Sequence, residues 1–219
     1  MITEQAAQFY ALSAAHLDRA YAHPDRQADL ADLRARLREL LAGHIVLELA
    51  CGSGYWTEAV AGVAEAVVAT DINPELLALA AQRGLPANVT LRQVDALTLP
   101  EDIGEYTAVL AAGWWAHVRR EEQDRYLAHL RAQLGKDILL VLIDDSFVDG
   151  FSETSSVSIA RTDAEGNTYQ IRTAPNGERY ELVKNYPSDS ALRKKLAHAV
   201  REIRILRSDH YWLLSCRLK

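Results

Sequence analysis

A short stretch in the first quarter of the chain combines an acid with a turn of small residues. Residues 48–57 read ELACGSGYWT, so Ala50, Gly52 and Gly54 follow an aliphatic run and precede helix-compatible sequence. Glycine lets the backbone approach a ligand closely, and the amides that begin the next helix attract a phosphate or a carboxylate. The stretch therefore predicts a ligand-binding turn at the end of a strand.

Two nucleotide-binding motifs come close to this pattern without being completed. A dinucleotide fingerprint, G-x-G-x-x-G, would need glycine where Thr57 stands, which disfavours an NAD-dependent oxidoreductase. A P-loop would end in Gly-Lys-Ser/Thr, but no lysine precedes Lys136 in the chain. We therefore exclude a nucleoside triphosphate as the ligand of this turn.

Acidic residues follow later aliphatic runs. Asp71 ends VVATD and Asp95 follows VTLRQV, and each carboxylate can accept hydrogen bonds from hydroxyl or amino groups of a ligand. Helix capping at Asp71 and turn formation at Asp95 are the alternatives. Asp144 and Asp145 follow ILLVLI, where we expect solvated or structural acids rather than a metal site, because no histidine lies nearby in sequence.

His117 is the candidate general base. It follows the run YTAVLAA and the pair Trp114 and Trp115, and an imidazole with an ordinary pKa of about 6.5 can take a proton from a hydroxyl or ammonium group. A hydrogen-bonded, inert histidine is the alternative. Cys51 has no neighbouring base in the sequence, and we interpret it as a structural thiol rather than a nucleophile.

A parallel sheet would bring these residues together. Five aliphatic runs have the length of strands, at 44–49, 66–70, 89–94, 106–112 and 138–143. Helical patterns such as 30–41 and 121–134 separate them, which predicts an α/β fold with a doubly wound, mostly parallel sheet whose ligands bind at the carboxyl ends of the strands. The runs 202–206 and 211–218 predict a terminal antiparallel hairpin, because their connection is too short for a crossover helix.

The alternation of predicted strands and helices is interrupted between residues 147 and 187. Alternating runs around Val157/Ile159, Tyr169/Ile171 and Tyr180/Leu182 are separated by two hairpin turns, which predicts an antiparallel β-meander inserted after the fifth strand. We expect this insertion to act as a lid within a single domain, 1–219, that also carries an N-terminal helical cap, 1–43. A sheet extension or a dimer surface is the alternative role of the insertion.

Composition limits the function classes. The chain has 219 residues and a formal net charge of −6, which argues against binding to a nucleic acid backbone. Its two cysteines lie far apart, which favours a reducing, cytoplasmic compartment. Neither a signal peptide nor a membrane-spanning run is recognisable in the sequence.

At four points the chain resembles class I S-adenosylmethionine-dependent methyltransferases. Their first motif, an acid followed by small-x-Gly-x-Gly, is matched from Glu48 to Gly54, with Ala50 replacing the more usual first glycine. Asp71 matches the acid that accepts both ribose hydroxyls, and Asp95 matches the acid that receives the adenine amino group. The loop 112–115 matches the loop that lines the methionine end. The resemblance covers about residues 40–145 and the terminal hairpin.

The resemblance implies a Rossmann-like methyltransferase fold with a seven-stranded sheet and S-adenosylmethionine as the cofactor. The residues expected to bind it are Tyr10, Glu48, Ala50, Cys51, Gly52, Ser53, Gly54, Trp56, Thr57, Asp71, Ile72, Asp95, Ala96, Ala112, Gly113 and Trp114. Trp115 and Asp145 are expected to contact the substrate. Plain helix packing is the alternative for Tyr10, and core packing is the alternative for the two tryptophans.

The reaction implied is methyl transfer to an oxygen or nitrogen atom of a small metabolite or natural product. The motifs of DNA amino-methyltransferases and cytosine-C5-methyltransferases are absent from the chain. A tRNA or protein methyltransferase is the alternative within the same chemistry. A non-catalytic module that only binds the cofactor is the alternative from another class, because the motifs concern binding alone.

Overall fold

Two β-sheets organise the chain, and the larger one extends from residue 45 to the C-terminal region. The computed structural model describes residues 4–148 and 159–219. Its strands are β1 (Ile45–Leu49), β2 (Ala66–Asp71), β3 (Val89–Gln93), β4 (Ala108–Ala112), β5 (Leu139–Asp145), β6 (Arg161–Thr162), β7 (Thr168–Thr173), β8 (Arg179–Val183), β9 (Val200–Arg207) and β10 (Tyr211–Leu218).

The larger sheet has seven strands in the order β3-β2-β1-β4-β5-β10-β9. Strands β1 to β5 pair in parallel, and β10 is antiparallel to both of its neighbours, β5 and β9. The predicted doubly wound, mostly parallel sheet and its closing hairpin are confirmed. The order reverses between β1 and β4, which opens a crevice at the carboxyl ends of these strands.

Helices cover both faces of the sheet. They are α1 (Glu4–Leu12), α2 (Gln27–Leu41), α3 (Tyr55–Ala61), α4 (Pro74–Ala81), α5 (Gln123–Leu134) and α6 (Asp189–Leu196), with short 3₁₀ helices at Ala14–Ala20, Pro24–Arg26 and Trp115–His117. In the described part of the chain, no helix is both long and apolar enough to cross a membrane.

The alternation of side chains along each strand divides the apolar residues between two cores. On β1, Val46 faces one core with Leu37 of α2, whereas Leu47 faces the other with Leu127 and Leu130 of α5. The four buried leucines of α2 lie in the first of these cores. Helix α2 is therefore a layer of the main fold, and the segment before it, 4–26, is the part that extends towards the strand ends.

The inserted β-meander is present as β6, β7 and β8, which pair antiparallel through turns at 163–167 and 174–178. The expected run at Val157 lies outside the described residues. A third, smaller core joins this insertion to α1 through Phe9, Tyr180 and Leu182, together with two alanines. Helix α1 and the insertion therefore pack together and form one wall of the crevice.

We expect truncation of this third core to destabilise the protein. Leu182 is fully buried there, so Leu182→Ala should lower the free energy of unfolding by about 2–5 kcal/mol through lost contacts and a residual cavity. Leu206 is about half exposed on β9, and Leu206→Ala should change it by less than about 0.5 kcal/mol. Urea unfolding measures both, and equal effects would contradict the assignment of Leu182 to a packed core.

Candidate functional site

A cavity of about 1190 Å³ lies at the carboxyl ends of the parallel strands, beneath α1 and beside the insertion. Most of the predicted site residues line it. They are Tyr10, Ala50, Cys51, Gly52, Ser53, Trp56, Asp71, Ile72, Asp95, Ala96, Ala112, Gly113, Trp114, His117 and Asp145. The loops after all five parallel strands thus contribute to one crevice, as the sheet topology requires.

The turn after β1 has a backbone that brings its amides against the crevice. Gly52 and Gly54 have φ of +57° and +79°, values at which a side chain would be strained. Ala50, in place of the usual glycine, also adopts a positive φ, +51°, which costs about 1–3 kcal/mol for a non-glycine residue. A Cβ atom at Gly54 would lie 3.0 Å from that of Ala80 in α4, so this glycine also permits close packing.

Glu48 lies behind the turn and not in the cavity wall. Its Oε2 accepts a hydrogen bond of 2.6 Å from the Thr57 hydroxyl of α3, because a side chain at this position of β1 points to the same face as that of Val46. Burial, followed by the charge of Asp71, raises the pKa of Glu48 to about 8. Glu48 and Thr57 therefore form a buried contact between β1 and α3. Both residues lie outside the wall of the cavity in which the sequence predicts a ligand. Gly54 is also outside the wall.

Asp71 holds the turn and the next helix together. Its Oδ2 accepts from the Gly52 amide and its Oδ1 from the Asn73 amide, both at 2.9 Å. Burial raises the pKa of Asp71, and the hydrogen bonds from backbone amides oppose this effect. The side chain of Asn73 makes no capping hydrogen bond at α4, so Asp71 takes part in the local structure as well as lining the cavity.

Asp95 also has both features that the sequence left open. Its Oδ1 accepts from the Leu97 amide at 2.9 Å, which stabilises the turn after β3. The residue nevertheless lines the cavity, as does Ile72, whose side chain is 43% exposed although it is apolar. An exposed apolar side chain thus lies in the same cavity wall as the carboxyl groups of Asp71 and Asp95.

The two acids after β5 have a buried cationic partner. Lys184, next to the end of β8, places its Nζ 2.5 Å from Asp144 Oδ1 and 3.0 Å from Asp145 Oδ2. Burial lowers the pKa of Lys184, but the attraction of the two carboxylates outweighs it and raises the pKa well above its usual value. Arg26 also contacts Asp145, at 3.4 Å. The predicted structural role of these acids thus involves a lysine about 40 residues away in the sequence.

Arg172 is a cavity-lining cation that the sequence did not single out. Its Nε and Nη2 donate to the neutral amide oxygen of Gln170 at 3.1 and 2.9 Å, and its guanidinium lies 6.0 Å from the centre of the Phe9 ring. Among residues 4–148 and 159–219, no carboxylate forms an ion pair with Arg172. The sequence contains one indication of the contact with Gln170. Arg172 follows Gln170 by two residues on β7, so both side chains point to the same face of the strand.

His117 has both ring nitrogens engaged. Its Nδ1 lies 2.6 Å from the Val183 carbonyl oxygen and its Nε2 lies 2.9 Å from the Tyr10 hydroxyl. Burial, followed by the charges of Lys184 and Arg172, lowers the pKa of His117 well below its usual value. The residue lies at the crevice where the sequence predicts it, but it is a neutral imidazole that is poorly suited to holding an added proton.

Only one of the two adjacent tryptophans lines the cavity, and it is not the one that the sequence predicts to contact the substrate. Trp114 lines the cavity and donates from Nε1 to the Tyr126 hydroxyl at 3.1 Å. Trp115 does not line it, and is 2% exposed in the core on the α5 side of the sheet. The 3₁₀ turn at Trp115–His117 directs this indole inward, so Trp115 lies outside the cavity in which the sequence predicts its contact with a substrate. Burial raises the pKa of the Cys51 thiol, consistent with a structural role.

The segment Ala14–Ala20 lies over the turn after β1. Leu17 is so close to Gly52 that a Cβ atom there would be 3.0 Å from Leu17 Cδ2. Asp18 of this segment accepts a hydrogen bond from Ser53 and pairs with Arg83, which also donates to the Ser53 carbonyl oxygen at 2.5 Å. These contacts attach the segment to the ligand-binding turn through polar groups that the sequence analysis did not identify.

Comparison with known proteins identifies the domain. Residues 46–137 match the family described as methyltransferase domain. No curated protein matches the sequence significantly. Among solved structures, a complex of DhpI with S-adenosylhomocysteine has 26% sequence identity and a TM-score of 0.78, over 98% of this chain and 96% of DhpI. DhpI with S-adenosylmethionine and HEP matches over the same shares, with 25% identity and a TM-score of 0.76.

More distant structures share the fold. Magnesium protoporphyrin IX methyltransferase from Synechocystis PCC 6803, with bound S-adenosylhomocysteine, has 16% identity and a TM-score of 0.57 over 89% of this chain and 84% of its own. The N-methyltransferase NodS from Bradyrhizobium japonicum has 15% identity and a TM-score of 0.58, over 92% and 99%. Both support the expected Rossmann-like architecture.

The buried carboxyl group of Glu48 gives a prediction for stability against pH. Folded Glu48 keeps its proton up to a pH of about 8, whereas in the unfolded chain it loses the proton near 4.5. Between these values the unfolded state binds fewer protons, so stability falls as the pH rises, by at most about 1.4 kcal/mol per pH unit from this group. Glu48→Gln should remove that part of the slope.

Urea unfolding of the wild type and the variant between pH 5 and 8 measures the difference. Exposed Glu65 supplies the control Glu65→Gln, which should leave the slope unchanged. A wild-type curve parallel to that of Glu48→Gln across this range would contradict a buried, protonated Glu48.

Proposed function

We propose that the chain, whose methyltransferase domain and likeness to DhpI indicate an S-adenosylmethionine-dependent methyltransferase, transfers the methyl group to an oxygen of a small, negatively charged acceptor. The observation that carries the proposal is Arg172, a cavity-lining guanidinium whose hydrogen-bond partner within the described residues is a neutral amide. A cation in a secluded site favours a ligand of opposite charge.

The half of the crevice formed by β1 to β4 fits the cofactor. Asp71 and Asp95 are carboxylates suited to the ribose hydroxyls and the adenine amino group, and Ile72 offers an apolar face to the purine. The backbone after β1 and the loop Ala112–Trp114 would hold the methionine part. When bound, S-adenosylmethionine supplies an electrophilic methyl group on a sulfonium.

The half formed by α1, β5 and the insertion fits the acceptor. Its charged side chains include Lys184, Arg26 and Arg172 among the cations and Asp144 and Asp145 among the acids, and exposed Glu4 of α1 also lines the cavity. The first two cations form salt bridges with the acids. Arg172 forms no salt bridge within the described residues, although its charge also lowers the pKa of Asp145, so its guanidinium can still bind an anionic ligand. A carboxylate or a phosphoryl group is the natural partner of a guanidinium fork.

An acceptor with an ionised oxygen needs no general base. The oxyanion attacks the methyl carbon in line, the C–O bond forms as the C–S bond breaks, and the products are a methyl ester and S-adenosylhomocysteine. Catalysis then consists mainly of alignment in a pocket from which water is excluded. A neutral hydroxyl or an ammonium acceptor would instead require His117 to take up a proton, which its lowered pKa opposes.

A small acceptor is favoured over a macromolecule because the acceptor half is enclosed by α1 and the insertion, and because the chain carries a net charge of −6. A tRNA or protein substrate would call for an open or basic groove. Release of S-adenosylhomocysteine with any small carboxylate, phosphonate or phosphate ester would exclude a module that only binds the cofactor.

Removing the charge of Asp71 should weaken cofactor binding. The variant Asp71→Asn keeps the size of the side chain but loses a charged hydrogen-bond acceptor, which is worth about 1.5–3 kcal/mol, so its Kd for S-adenosylmethionine should rise at least about tenfold. Calorimetric titration measures this, with NAD as the ligand that should give no heat. Asp32→Asn, on the exposed face of α2, is the control, and wild-type affinity in Asp71→Asn would remove the ribose assignment.

Removing the charge of Arg172 should impair the acceptor step selectively. Arg172→Gln should raise the KM for anionic acceptors by about tenfold to a hundredfold, through loss of charged hydrogen bonds, while the Kd for S-adenosylmethionine stays within about twofold. Exposed Arg179 on β8 provides the matched control Arg179→Gln. The acceptors come from a screen of small carboxylates, phosphonates and phosphate esters, read by release of S-adenosylhomocysteine. An unchanged KM would contradict the anion site.

A further inference from the structure

The hydrogen bonds of His117 fix the positions of protons around the acceptor pocket. The Val183 carbonyl oxygen can only accept, so Nδ1 of His117 carries the proton in their 2.6 Å hydrogen bond. The ring is neutral, because burial and the charges of Lys184 and Arg172 oppose the imidazolium form. Nε2 therefore has a free electron pair and must accept a hydrogen bond.

Tyr10 supplies the donor for this nitrogen. Its hydroxyl lies 2.9 Å from Nε2, and in a neutral tyrosine that hydroxyl has one proton to give. Once the proton is directed to His117, the oxygen can only accept further hydrogen bonds. Tyr10 lines the cavity, and within the described residues no hydrogen-bond donor contacts its oxygen. The crevice thus contains a tyrosine oxygen that presents electron pairs to a ligand.

Aromatic packing holds this oxygen near the proposed anion site. The Tyr10 ring meets the Phe9 ring edge-on at 5.4 Å and the His117 ring at 5.5 Å. The guanidinium of Arg172 lies 6.0 Å from the same Phe9 ring. A hydrogen-bond acceptor and a cation therefore lie next to the same Phe9 ring and line the same cavity.

We propose that Tyr10 determines acceptor specificity by accepting a hydrogen bond from a hydroxyl group that the acceptor carries beside its anionic group. His117 is the positioning residue that keeps the Tyr10 proton turned away from the ligand. The inference rests on the proposed function, since it concerns a second group of the same acceptor. An anion without a hydroxyl would leave the electron pairs of the Tyr10 oxygen desolvated and without a hydrogen-bond donor, which lowers affinity by about tenfold to a hundredfold.

Matched pairs of anions test the proposal. 3-Hydroxypropanoate and butanoate have similar size and charge, and differ in a hydroxyl against a methyl group. Titration of each into the complex with S-adenosylhomocysteine should show at least tenfold tighter binding of the hydroxylated anion. Tyr10→Phe should abolish this preference by weakening the binding of 3-hydroxypropanoate alone. Tyr180→Phe, which removes a hydroxyl from the same small core but outside the cavity, should preserve it.

The outcomes separate this inference from the proposed function. Equal binding of the two anions by the wild type, or equal weakening of both by Tyr10→Phe, would overturn the role of Tyr10. If either of these results is found and Arg172→Gln weakens the binding of both anions equally, the anion site of the proposed function is still supported. Binding of neither anion by the wild type would count against both proposals.

A spectroscopic measurement tests the role of His117 without an acceptor. In protein labelled with ¹⁵N-histidine, two-bond correlations should show His117 with a protonated Nδ1 and an unprotonated Nε2 at neutral pH. Tyr10→Phe should shift the Nε2 resonance, because that nitrogen loses its hydrogen bond, whereas Tyr180→Phe should not. An Nε2-protonated tautomer or an imidazolium ring at neutral pH would overturn the proposed polarity of Tyr10.

Discussion

The buried contact of Lys184 with Asp144 and Asp145 is the interaction on which the proposed acceptor side of the crevice depends. It joins the end of the inserted sheet to the end of β5, and Asp144 extends the link by accepting from the Ala116 amide at 2.9 Å. Loss of Lys184 would leave the buried carboxyl group of Asp144 without its cation, at a cost of about 3–5 kcal/mol. The position of the Val183 carbonyl, and with it the orientation of His117, follows from this junction.

The cofactor side depends on shorter-range constraints. Asp71 connects the turn after β1 with the start of α4, and the buried Glu48 connects that turn with α3. Asp71 is 19 residues from Gly52 and Glu48 is nine residues from Thr57, whereas Lys184 is 40 residues from Asp144. Neither Asp71 nor Glu48 has a cation as its direct partner in these contacts. Hydrogen-bond donors of the backbone and of Thr57 instead satisfy them, which keeps the crevice suitable for ligand hydroxyl and amino groups.

This difference in range explains which features the sequence could predict. The strands, the closing hairpin and residues such as Asp71 and Gly52 follow from local periodicity and from acids and glycines at strand ends, so their arrangement was predictable. Arg172 lies in β7 of the insertion and Lys184 directly follows β8, and their roles depend on which strand ends of the larger sheet the insertion contacts. The spacing of residues along the chain does not show which strand ends the insertion contacts.

Glu48 and Trp115 lie outside the cavity for equally physical reasons. Glu48 was expected at the ligand, but strand alternation turns its side chain towards α3 and Thr57. Trp115 was expected in the substrate pocket, but the short helical turn after β4 directs it into the core. In both cases the position of the backbone was predicted well enough, and the direction of the side chain was not, because it depends on dihedral angles that the residue pattern leaves open.

The small core shared by α1 and the insertion has a consequence for divergence within such enzymes. Phe9, Tyr180 and Leu182 pack with one another, apart from the two cores of the main sheet. Substitutions in this wall can reshape the acceptor pocket while the turns that hold the cofactor keep their support. A duplicated gene can therefore acquire a new acceptor through changes at residues 4–12 and 160–186 and still retain its methyl donor, so that donor and acceptor recognition evolve at separate rates.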